Sequence, residues 1–208
     1  MTQSDILFEK IKSKYNENEP IFLTDIDFTS LRQQMKRLTE EGKLKRFDAG
    51  IYYIPKKSIF RSGSTLSLES VLKKKYLLDD NNRCGYIGGM LFANKIGLTT
   101  QVPSIYELTT NKATTDYRET RLANFRIIIK RPCVTVNNDN VVILQFLDLM
   151  KEVLNIAEVQ GTALTQRLLN YLRAKGLSFN VLKPYLSYYP DRIYKNMFEV
   201  GLLNGISA

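Results

Sequence analysis

The sequence predicts an α+β chain, on three observations. Apolar residues recur at helical spacing between Ser4 and Glu41 and again from Val141 onward. Between those stretches lie β-branched and aromatic runs of strand length, around Ile51-Tyr52-Tyr53-Ile54, at 104–110 and at 121–130. Ser62-Gly63-Ser64-Thr65 reads as a linker. Two domains follow: residues 1–61, and residues 62–208, a mixed α/β domain with a helical C-terminal end.

The first helix is expected over Ser4–Tyr15, with Ile6, Leu7, Ile11 and Tyr15 as its apolar stripe and Ser4 as its cap. Asn16 to Pro20 is a polar turn, and Ile21-Phe22-Leu23 a short apolar run. Thr24-Asp25-Ile26-Asp27 has room for no more than one helical turn. A second helix opens at Thr29. Leu31, Met35 and Leu38 form its buried face, and Gly42 ends it, because glycine takes a positive φ without penalty. Lys43 to Pro55 has the pattern of a β-hairpin turning at Asp48-Ala49-Gly50. Helix, short turn, helix and basic hairpin, in that order, make a winged helix-turn-helix.

In the second domain a helix is expected from Leu66 to Leu78, followed by a polar turn at 79–82. Ile87–Ile96 reads as a buried helix, although Gly88 and Gly89 inside it would each cost about 1 kcal/mol relative to alanine. Ser104–Thr110 and Arg121–Lys130 are the strands. Val141–Leu154, Thr162–Lys175, Asn180–Ser187 and Arg192–Leu203 are the closing helices.

Composition narrows the chemistry. With 44% hydrophobic residues the chain can bury a core, and with no run of about 18 apolar residues it offers no membrane helix. The N-terminus has neither the charge nor the apolar run of a secretory signal, so the expected compartment is the cytoplasm. There is no histidine, which excludes Ser-His-Asp, Cys-His and histidine–metal chemistry. Cys84 and Cys133 form no C-x-x-C pair and are expected to be buried apolar thiols. Neither a cofactor nor a metal is expected.

The formal net charge is +9, and its placement matters more than its size. From Thr29 to Arg61 there are nine basic residues: Arg32, Lys36, Arg37, Lys43, Lys45, Arg46, Lys56, Lys57 and Arg61. Three acids, Glu40, Glu41 and Asp48, leave an excess of six. A helix about 12 Å across fits the major groove of B-DNA. Arg32 and Arg37 have the fork that reads guanine, and Gln33 and Gln34 can pair with adenine. Lys36 lies among them. Thr29 and Ser30, at the helix N-terminus, are placed for phosphate. Lys43, Lys45 and Arg46 in the hairpin, extended by Lys56, Lys57 and Arg61, would follow the backbone beside the groove. Of Tyr52 and Tyr53, alternation puts one inside and one outside. The partner expected is double-stranded DNA.

Arg37-Leu38-Thr39-Glu40-Glu41-Gly42-Lys43-Leu44-Lys45-Arg46-Phe47-Asp48-Ala49-Gly50-Ile51-Tyr52-Tyr53 resembles the end of the recognition helix and the wing of AbiEi-type antitoxins. The segment from Gly89 to Pro103, above all Leu98-Thr99-Thr100-Gln101-Val102-Pro103, is similar to that family's "LGLTTQVP" stretch. Ile105 to Asn111 is similar to the strand that follows it there. The likeness runs from about Ser4 to Pro132. It implies a bacterial transcriptional autorepressor that binds its own promoter and acts as the antitoxin of an AbiE-like toxin–antitoxin system. It also implies a nucleotidyltransferase-like toxin, countered without a stable complex. Thr99, Thr100 and Gln101 are expected to serve structure more than a partner.

Two rival classes remain. A winged helix can be a protein-interaction module that binds no DNA. A metal-dependent nuclease or nucleotidyltransferase would need clustered carboxylates. Glu69, Glu107, Asp116 and Glu119 form no such motif, and Asp25-Ile26-Asp27 reads as turn and capping chemistry. No enzymatic activity is expected.

Overall fold

The computed structural model describes residues 2–56 and 64–204, and it is α+β. The chain divides into two compact units, Met1–Lys75 and Tyr76–Ala208.

In the first unit, α1 spans Gln3–Lys14. Its cap is Thr2, not Ser4. The Thr2 hydroxyl accepts from the Asp5 amide while the Asp5 carboxylate accepts from the Thr2 amide. Ser4 is buried in the first turn, and Ile6 is exposed, so the inward stripe is Leu7, Ile11 and Tyr15. Strand β1, Ile21–Phe22, and a 3-10 turn at Leu23–Asp25 lead to α2, Leu31–Glu40. Helix α2 starts later than Thr29 because Ser30 is in the left-handed region, at φ 55°. Gly42, at φ 71°, ends it, and the Leu44 amide returns to the Leu38 carbonyl.

Strands β2, Lys45–Asp48, and β3, Ile51–Tyr53, form the hairpin, with a register shift between Arg46 and Asp48. The run Ile21-Phe22 turns out to be a strand. It pairs antiparallel with β3, giving the order β1-β3-β2. Leu7, Ile11, Tyr15, Ile21, Met35, Leu38 and Leu44 make the core of this unit.

The boundary falls later than residue 61. The linker reading covers 62–65, of which 62 and 63 lie outside the described residues. Ser64 donates to the Asn18 side chain and accepts from the Lys56 amide, tying the chain back onto the unit. After α3, Leu68–Leu72, the Lys74 ammonium bonds the Glu19 carboxylate and the Pro20 carbonyl and stands over the Tyr15 ring. These bonds hold the segment to the N-terminal unit. A π-helical turn at Lys73–Leu77 then replaces the end of the helix expected up to Leu78.

The second unit opens with a ribbon of β4, Leu78–Asp79, and β5, Asn82–Arg83, where a polar turn was expected. Its main sheet has the order β6-β7-β9-β8. The strands are β6, Gly85–Ile87; β7, Ile105–Thr110; β8, Tyr117–Leu122; and β9, Phe125–Lys130. Strands β7 and β9 are parallel, and the other neighbours antiparallel.

The single strand expected at 121–130 is thus a hairpin, broken at Ala123-Asn124, where Ala123 takes φ 50°. Helix α4 covers only Gly89–Lys95, since Ile87 belongs to β6. Gly88 caps it rather than weakening its interior. At Gly89, with φ 57°, any Cβ would overlap the Glu107 carboxylate. Helices α5 (Val141–Ile156), α6 (Gly161–Ala174), α7 (Phe179–Leu186) and α8 (Arg192–Glu199) follow close to their expected bounds. Residues from α4 through α8, Phe146 and Leu147 of α5 at their centre, form one apolar core. Cys84 is buried as expected. Cys133 is exposed, because it lies in the loop after β9 rather than in an element.

Candidate nucleic-acid interface

Helix α2 has two unlike sides. At about 100° per residue, Arg32, Gln33, Lys36 and Arg37 share one side. All four are exposed, while Met35 and Leu38 are fully buried on the other side. Leu31 is half-buried against the same core. The apolar spacing that forms the helix therefore also aims its cationic side outward. Lys36 reaches Glu40 only at 3.8 Å, one turn along an exposed surface, a pairing of little consequence. Among the described residues, Arg32 and Arg37 have no carboxylate partner.

Gln34 departs from the sequence reading. It is only 4% exposed, and its amide donates to Gln3 of α1 at 3.3 Å. Its place on the wheel, beside Met35 and Leu38, removes it from any outward surface.

Thr29 and Ser30 are both exposed at the start of α2. The Ser30 carbonyl accepts from the amides of Gln33 and Gln34, and its hydroxyl caps nothing. A shallow groove here is lined by Leu23, Thr24, Ser30, Leu31, Arg32 and Gln33. Two lysines of α1 reach the turn ahead of α2. Lys10 donates to the Asp27 carbonyl at 2.9 Å, and Lys14 to the Asp25 carbonyl at 3.2 Å. Their i, i+4 spacing on α1 was visible; the carbonyls that they reach were not. These bonds fix the turn at Asp25-Ile26-Asp27 ahead of α2.

The hairpin cations have different surroundings. Arg46 is exposed and donates through Nε to the Asp48 carbonyl at 3.2 Å. Lys45 is half-buried. Lys43 is held on both sides, at 2.8 Å from Glu41 and 3.0 Å from Asp5, and stands over the Phe8 ring. The Thr2 hydroxyl and the Lys43 ammonium hold the Asp5 carboxyl far below its ordinary range, and Glu41 and Asp5 push Lys43 upward. Lys43 ties α1 to the end of α2, so a phosphate there would compete with two carboxylates for it. Lys56 is exposed just after the hairpin. Lys57 and Arg61 lie outside the described residues. Tyr53 is buried, and Tyr52, expected outside if Tyr53 is inside, is instead half-buried and packed against the core of this unit.

The carboxylates weighed for metal chemistry do not converge. Glu107 pairs with Lys130, Glu119 with Arg126 at 2.8 Å, and Asp116 with Arg131 at 3.1 Å. Thr100 and Gln101 have a structural partner instead of an outside one. The Glu158 carboxylate accepts from the Thr100 amide at 2.6 Å, the Thr100 hydroxyl at 2.9 Å and the Gln101 side chain at 2.9 Å. No helix among the described residues is long and apolar enough to cross a membrane. No protein-family model matches this chain, and no curated protein matches it.

Proposed function

We propose that the chain is a DNA-binding transcriptional repressor of its own promoter, working in the cytoplasm through a winged helix-turn-helix in residues 1–61. The observation that carries this reading is the outward side of α2, where Arg32, Gln33, Lys36 and Arg37 stand together above a buried Met35–Leu38 anchor. An element order of helix, strand, 3-10 turn, helix and hairpin supports it, as does the antiparallel order β1-β3-β2. Helix α2 would enter the major groove, with Thr29 and Ser30 near a phosphate. Arg46 and Lys56, with Lys45, would meet the backbone alongside.

The resemblance to AbiEi-type antitoxins extends the proposal. The second unit would counter a nucleotidyltransferase-like toxin without forming a stable complex with it, and the protein itself would catalyse nothing.

Titration of the protein against its own upstream DNA and a scrambled duplex tests the first part. At about 50 and about 200 mM salt, a binder touching several phosphates shows a log–log slope near −0.9 per contact. Tighter binding to the upstream DNA with that slope is expected. The absence of binding to either duplex would turn the same surface into a protein-contact module.

A further inference from the structure

Strand β8 ends the four-stranded sheet, and its far side pairs with no strand among the described residues. It is six residues long, against three for β6 at the opposite edge. Open edges of this length are usually blunted by charge. Here the charges alternate in sign: Arg118, Glu119 and Arg121 are all exposed.

The turn at Ala123-Asn124 fixes which backbone groups point outward. In a two-residue hairpin, Leu122 and Phe125 are the hydrogen-bonded pair that closes it. Alternation along an antiparallel ladder then directs the N–H and C=O of Leu122, Thr120 and Arg118 toward β9. Those of Tyr117, Glu119 and Arg121 face out. The Tyr117 carbonyl already accepts from the Thr115 hydroxyl at 3.2 Å. Glu119 and Arg121 are left as the outward positions.

The side chains are unevenly matched. Arg121 lies directly across from Arg126, like charge against like. Glu119 neutralises Arg126, with contacts of 2.8 and 2.9 Å. Arg121 has no carboxylate partner among the described residues.

We propose that β8 pairs antiparallel with β8 of a second copy of this chain, with Thr120 on the twofold axis. Only registers that set outward residues against outward residues can form a ladder. Centring on Glu119 opposes two carboxylates, and centring on Arg121 opposes two guanidinium groups. Centring on Thr120 sets each Glu119 against the Arg121 of the second copy, closing both backbone hydrogen bonds of that pair. Each Glu119 then lies between Arg126 of its own chain and Arg121 of the other. Thr120 faces Thr120 on the opposite side of the sheet, a favourable cross-strand pair. The contact is isologous, so it closes at two copies. A strand pair this short buries much less than the roughly 1,600 Å² of a standard interface, which makes the dimer a weak one. The proposal stands independently of DNA binding.

Sedimentation of the full chain over a concentration series to about 1 mM tests it, in a range suited to a weak interface. The expected result is a monomer–dimer equilibrium. Glu119→Arg and Arg121→Glu, each alone, set like charges opposite one another and are expected to weaken dimerisation about tenfold or more. An equimolar mixture of the two variants restores both opposite-charge pairs across the interface and is expected to recover the dimer. Unchanged far-ultraviolet circular dichroism of each variant separates this effect from misfolding. A wild-type chain that stays monomeric throughout overturns the proposal. So does a dimer indifferent to both reversals, which would rest on another surface, such as the exposed Tyr194 and Phe198 of α8.

Discussion

Arg32 and Lys43 carry the same charge in the same stretch of chain, and their surroundings assign them different work. Arg32 projects from the outward side of α2 beside the groove at Ser30, whereas Lys43 is held by Glu41 and Asp5. Arg32→Ala is expected to weaken binding to the upstream DNA by about 1–3 kcal/mol and to relax sequence choice at one base pair. Competition against single-base variants of the site measures this. Lys43→Ala is expected to lower the thermal midpoint while leaving the salt slope of DNA binding as it was. A slope reduced by about one would return Lys43 to the phosphate contacts. Arg46→Ala supplies the contrast, with affinity lowered for all sequences alike.

At the scale of elements, α2 holds its position through two fully buried side chains. Leu38→Ala leaves a cavity beneath the helix and is expected to cost about 2–5 kcal/mol in urea unfolding. The joint between α4 and α6 depends on a different force. Glu158, in the loop ahead of α6, receives the Thr100 amide, then the Gln101 and Thr100 side chains. These bonds bring its carboxyl down from 4.5 to about 2. A carboxyl depressed in the folded state stabilises above its unfolded value. That stabilisation is lost as the pH falls through the folded value. The thermal midpoint should therefore drop between about pH 4.5 and pH 2, and Glu158→Gln should flatten that part of the curve. An unchanged curve in the variant would show that the clasp adds nothing to stability.

For the whole molecule, the proposal divides labour between the two units. DNA recognition belongs to residues up to Lys75, and the response to a toxin to the rest. A variant carrying Arg32→Ala and Arg37→Ala is expected to lose repression of a promoter reporter and yet to protect cells expressing the neighbouring toxin as well as wild type. Loss of both activities together would contradict that division.

Much of this was readable from local pattern. The spacing of Leu31, Met35 and Leu38 implied a helix with an outward basic side, because a helix repeats its faces every few residues whatever surrounds it. Gly42 and the turn at Asp48-Ala49-Gly50 were legible for the same reason, since a positive φ is a demand of one residue and its neighbours. Contacts between distant segments were not legible. Ile21-Phe22 became a strand only because β3 lay alongside to accept it, and the Gln34 amide found its acceptor in Gln3, which is far away in sequence. Lys43 found its carboxylates, and Thr100 its Glu158, across turns whose geometry no local pattern encodes. The sequence by itself determined the α+β class, most of the helices and the basic side of α2, all of which follow from short-range periodicity and charge. Tertiary structure alone decided which cations remain outward, where the first unit ends, and that β8 is an open edge. Each of these depends on which distant groups the folded chain brings within hydrogen-bonding reach.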